Sequence, residues 1–116
     1  MTHEEKKIGK IVEELTMYFF SIGADHISST IDRAGKDVTI MMECNYLPEY
    51  KEDMNRLSEY LNEPKDDGVE DIYWELAGSG DPGESSQLLL LGMMLDKADV
   101  DITEDKVRLK LYKELL

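Results

Sequence analysis

The sequence predicts a two-layer α+β domain in which two β-hairpins form one four-stranded antiparallel sheet, with helices on one face. Three observations predict it. A long apolar stripe at three- and four-residue steps opens the chain. Two later stretches alternate apolar and polar residues around short turn sequences. In both, one side is apolar and the other mainly polar, the pattern of a sheet covered on one face only. The expected order is α-β-β-α-α-α-β-β, within a single domain spanning residues 1–116.

Thr2 and Glu5 have the spacing of a capping box, in which two backbone donors at a helix start are satisfied reciprocally. Ile8, Ile11, Val12, Leu15, Tyr18, Phe19 and Ile22 then form one stripe, and Gly23 is a natural stop. In the first hairpin Ile27 and Ile31 alternate with Ser28, Thr30 and Asp32. Val38, Ile40, Met42 and Cys44 alternate with Thr39, Met41 and Glu43. Ala34-Gly35 is the expected turn, because glycine supplies positive φ. Met41 falls on the polar side, where an apolar residue hints at something covering it.

Pro48 suits the first turn of a middle helix with Tyr50, Met54, Leu57 and Leu61 as its stripe and Pro64 as its end. A short helix is expected over Val69–Ala77, capped by Asp67 and Glu70. Another is expected over Gly83–Asp96, where Leu88 to Leu91 and Met93 to Leu95 make it apolar around most of its circumference. Such a helix is buried on more than one side, or half of it meets a partner. In the second hairpin Val100 and Ile102 pair with Val107, Leu109 and Leu111 around Thr103-Glu104-Asp105-Lys106, with Asp101, Arg108, Lys110 and Tyr112 on the outer side.

The two helix-hairpin units suggest an αββ pseudo-repeat. Ala24-Asp25 and Ala98-Asp99 are expected to sit between helix and hairpin, and Val38-Thr39-Ile40 parallels Val107-Arg108-Leu109. The first hairpin reads as the longer one.

Charge narrows the partners. The formal net charge is −13. The segment Tyr46 to Ala77 alone holds ten acidic and three basic residues. Such a field repels phosphate backbones and anionic lipid, so neither nucleic acid nor membrane is expected as a partner, whereas a basic protein is attracted. Met1 to Lys7 has no apolar signal region, and Leu88 to Leu95 is too short to span a bilayer, so a cytoplasmic location is expected. Cys44 is the single cysteine, which rules out an intramolecular disulfide. Its place on the apolar side of a strand predicts a buried, inert thiol.

The glycine-rich run Gly78 to Ser86 nearly fits the phosphate-loop pattern G-x-x-x-x-G-K-[ST], but Glu84 stands at the lysine position and reverses the charge. It also follows a helix-like segment rather than a strand, so a nucleotide site is rejected. Asp81 and Pro82 explain the run as a capped helix start. Its free backbone donors still allow one ligand-binding candidate, made of Tyr73, Trp74, Gly78, Gly80, Asp81, Gly83, Ser85 and Ser86. Asp96, Asp99, Asp101, Glu104 and Asp105 lack the spacing and the glycine of a calcium loop, and one Cys with two His makes no standard zinc site. No metal or other cofactor is expected, and no catalytic set can be argued from spacing. The leading expectation is a non-enzymatic protein-interaction or regulatory module that forms a homodimer by helix or sheet pairing. The alternative is a small-molecule binder or modest enzyme with its pocket near Trp74 and the Gly78–Ser86 loop.

Overall fold

A computed structural model describes residues 2–62, 88 and 91–116. The expected helix over Val69–Ala77, its Asp67–Glu70 cap and the Pro64 stop lie outside the described residues. Within them the elements are α1 (His3–Ser21), β1 (Ile27–Ala34), β2 (Asp37–Asn45), a 3₁₀ turn (Pro48–Tyr50), α2 (Lys51–Leu61), β3 (Lys97–Ile102) and β4 (Lys106–Glu114). Two helices and a four-stranded antiparallel sheet make this an α+β fold.

The start of α1 is the capping box that the sequence spells. Glu5 N donates to Thr2 Oγ1 at 3.1 Å, and Thr2 N donates to Glu5 Oε1 at 2.8 Å. The same Glu5 meets Arg33 Nη1 at 2.8 Å, tying the helix start to the first hairpin. Thr2→Ala is expected to cost about 1 kcal/mol, read as a lower denaturant midpoint at unchanged slope. Gly23 ends the helix for two reasons. Its φ is +83°, and a Cβ there would lie 2.5 Å from Leu47 Cδ1.

The strand order is β1-β2-β4-β3, antiparallel throughout. The rows Val38, Ile40, Met42, Cys44 and Val107, Leu109, Leu111 are buried. They share one core with Ile11, Leu15 and Phe19 of α1 and Met54, Leu57 and Leu61 of α2. At the far end of this layer Glu4 pairs with Lys7 at 3.0 Å and accepts from the Leu116 amide at 3.0 Å, fastening the end of the chain to α1.

Several expectations need correction. The hairpin turn is Gly35-Lys36, not Ala34-Gly35: Ala34 and Asp37 are already partners. Gly35 has φ +64° while Lys36 does not, as a type II′ turn requires. The apolar side of β1 is not buried. Ser28 to Ala34 are all exposed, Ile31 at 49%, because β1 is an edge strand and the buried rows lie on β2 and β4. Ala98-Asp99 lies inside β3 rather than ahead of it. Leu91 and Gly92 are helical, the chain turns at Met93-Met94 and Lys97 is already strand, so the helix ends well before Asp96.

The first hairpin is the longer, as expected, with eight paired positions against six, yet the two share one register pattern. Adding 69 to each residue number turns the pair Ser28↔Glu43 into Lys97↔Tyr112, and Ala34↔Asp37 into the turn-closing Thr103–Lys106 bond. The β2–β4 ladder maps onto itself under the same shift, about the pair Met41↔Lys110. Between the hairpins so aligned, the identical residues are Asp32/Asp101 and Val38/Val107, so the symmetry lies in the pairing and scarcely in the residues.

Candidate interaction surface

Every residue of the expected ligand site (Tyr73, Trp74, Gly78, Gly80, Asp81, Gly83, Ser85 and Ser86) lies outside the described residues. The described residues offer two other surfaces: the uncovered face of the sheet and its two edges.

The uncovered face follows from strand alternation. It carries Ser28, Thr30 and Asp32 of β1, then Thr39, Met41 and Glu43 of β2. Lys106, Arg108, Lys110 and Tyr112 of β4 and Lys97, Asp99 and Asp101 of β3 complete it. Several of its charges are satisfied across strands. Arg108 pairs with Glu43 at 3.2 Å, Lys97 and Lys110 sit 5.6 and 5.5 Å from the Tyr112 ring centre, and the Tyr112 hydroxyl donates to Asp99 at 3.4 Å. Two shallow hollows of about 160 and 140 Å³ flank Arg108. Met41, 41% exposed, is the apolar exception. A face so polar is suited to water.

The edges differ more sharply. Leu115 N donates to Lys36 O and Tyr46 N donates to Asp105 O, so the even-numbered residues of β2 bond to β4. The odd-numbered ones therefore bond to β1, through Ser28, Thr30, Asp32 and Ala34. The N–H and C=O groups of Ile27, Ser29, Ile31 and Arg33 consequently point out of the sheet. On the opposite edge the same logic turns Ala98, Val100 and Ile102 outward, but there the protein supplies a cover. The Asn62 side chain at the end of α2 accepts from Ala98 N at 3.2 Å. No such cap reaches β1 among the described residues. Its braces lie at its two ends: Asn45 Oδ1 accepts from Asp25 N and His26 N at 3.0 and 3.1 Å just before it, and the Arg33 side chain meets Glu5 at the other end.

β1 also carries few of the usual guards of an exposed edge, Arg33 on its helical side being the exception. It has no proline and no lysine, its register runs without a bulge, and its charges, Asp32 and Arg33, cancel. Beside it lies an apolar groove of about 180 Å³, lined by Glu5, Ile8, Ile31, Arg33, Val38 and Leu115.

Cys44 is buried as expected. Burial, helped by the charge of Glu43, pushes its thiol up to about 12. It should be silent toward a thiol reagent at pH 8 and react once the chain unfolds. Since the folded value lies above the ordinary 9.0, the stability that Cys44 contributes is complete below pH 9 and is lost as pH rises from 9 to 12. A melting midpoint that falls across that window, and falls less in Cys44→Ala, checks the sign.

Among the described residues no three His, Cys, Asp or Glu gather in a way that could hold a metal ion, and no helix is long and apolar enough to cross a membrane. No protein-family model and no curated protein matches the chain. The residues that sequence reasoning missed are Asn62 and Asn45. Each works through a side-chain amide on a backbone far away in sequence, and no local pattern announces that.

Proposed function

We propose that this protein is a non-enzymatic protein-interaction module that works as a homodimer, with its sheet as the joining surface. One observation carries the reading: β1 is an open, regular, charge-neutral edge, whereas β3 is capped by α2. The other expected route to a dimer is the apolar run Leu88 to Leu95, of which Leu89 and Leu90 lie outside the described residues. Leu88, Leu91, Met94 and Leu95 are all buried within the chain's own core. The chain is read as an αββ unit used twice, with the helix that ends at Gly92 as counterpart of α1 ending before Gly23.

Sedimentation velocity at rising protein concentration tests this. The expected result is a monomer–dimer equilibrium that strengthens with salt. Two chains of charge −13 repel, and salt screens that repulsion over a Debye length of about 10 Å at 0.1 M. A strict monomer at high micromolar concentration in any salt overturns the reading. A basic protein partner is the competing use of the acidic surface, and it has the opposite signature, since its binding weakens as salt rises. The small-molecule reading rests on Trp74 and the Gly78–Ser86 loop. A ligand there should change Trp74 fluorescence, and Gly80→Val with Ser85→Ala should abolish the change.

A further inference from the structure

We infer that two copies join β1 to β1 antiparallel about a two-fold axis at Ile31, extending the sheet to eight strands. This rests on the reading of self-association above and adds its geometry.

The β1 edge is complementary to a second copy of itself. A two-fold axis perpendicular to the sheet keeps each residue on its own face, so only registers that pair residues of equal parity are allowed. The outward groups are those of Ile27, Ser29, Ile31 and Arg33, and these must bond one another. Centring the axis on Asp32 or on Arg33 sets like charges face to face, which is destabilising. Centring it on Thr30 sets Ile27 opposite the second copy's Arg33 and Ile31 opposite its Ser29. Centring it on Ile31 sets Ile31 against Ile31, Ser29 against Arg33 and Thr30 against Asp32. Centring it on Ser29 also pairs apolar side chains, Ile27 with Ile31, but overlaps only five residues of each strand, because the amides of Asp25 and His26 just beyond are already bonded to Asn45; the axis at Ile31 overlaps seven, pairs the exposed Ile31 with its copy and opposes no like charges. It also leaves the Glu5–Arg33 ion pair in place at each end and lays the apolar groove of Ile8, Val38 and Leu115 along the seam.

Disulfide trapping at two positions tests the register. In a hydrogen-bonded antiparallel pair the Cα atoms lie about 5.5 Å apart, within the reach of a disulfide. Ile31→Cys should oxidise to a covalent dimer well ahead of Thr30→Cys, whose two copies stand on a diagonal about 7–8 Å apart. Native Cys44 is buried and stays out of the reaction. Ile31→Lys should be monomeric by light scattering with the melting temperature of the isolated chain unchanged, since that side chain is 49% exposed. Trapping of Thr30→Cys in place of Ile31→Cys overturns the register. A wild-type dimer that neither cysteine traps and that Ile31→Lys leaves intact overturns edge pairing while the self-association reading survives. A wild-type monomer overturns both.

Discussion

Gly92→Ala is expected to lower the melting temperature on the order of 10 °C, corresponding to about 3 kcal/mol, the upper end of what overpacking costs. A Cβ on Gly92 would overlap the carbonyl oxygen of Tyr60 and lie 3.0 Å from Leu61 Cα. Both obstacles are backbone, at the end of α2, so neither can swing aside as a side chain tip would. The two neighbours are themselves pinned. Leu61 is 1% exposed in the core, and Asn62 just beyond it caps Ala98. Pushing α2 away thus disturbs the core and loosens the cover of the β3 edge together. The contrast is Gly9, where a Cβ would meet nothing within 4 Å: Gly9→Ala should stabilise by several tenths of a kcal/mol, up to about 1, because it sits inside α1. Thermal melts of the two variants side by side check both signs.

Phe19→Ala should destabilise by about 3–5 kcal/mol, a large share of the roughly 5–15 kcal/mol by which a domain is stable. Phe19 is 0% exposed, in the last turn of the stripe that α1 buries. Its ring stands edge-on to Tyr18 at 5.7 Å and 62°. Tyr18 shows how dry this region is. Burial, with the nearby Asp53 and Tyr60 adding, pushes its hydroxyl up to about 12. Phe20 is the internal control. It is 57% exposed, and Phe20→Ala should shift the denaturant midpoint by less than a tenth as much. If the two adjacent phenylalanines cost the same, the face that α1 presents to the sheet is wrong.

How far the sequence reveals the fold depends on how local each signal is. The capping box at Thr2 and Glu5, the stripe from Ile8 to Ile22, and the alternation of Val38 to Cys44 and Val107 to Leu111 are all written within a few residues, and each element follows. β1 misleads because alternation records which side a residue takes, not whether anything covers that side. Ile31 points to the helical side, yet it lies at the sheet margin and remains exposed. Strand order is likewise non-local, so the asymmetry between an open β1 and a capped β3 could not be read before the ladders were known. Gly92 gives no hint either: it falls inside the expected Gly83–Asp96 helix, and nothing near it in sequence shows that it admits the backbone of Tyr60. The sequence-derived ligand site lies outside the described residues and stands as a proposal.

The most direct measurement is amide hydrogen exchange, followed residue by residue at low and high protein concentration. In a single chain the amides of Thr30 and Asp32 are bonded to β2, while those of Ser29, Ile31 and Arg33 face water. If β1 joins β1, the exchange of Ser29, Ile31 and Arg33 slows as concentration rises until it approaches that of their neighbours. Exchange at those three amides that stays fast where the protein is dimeric contradicts the β1 edge as the joining surface.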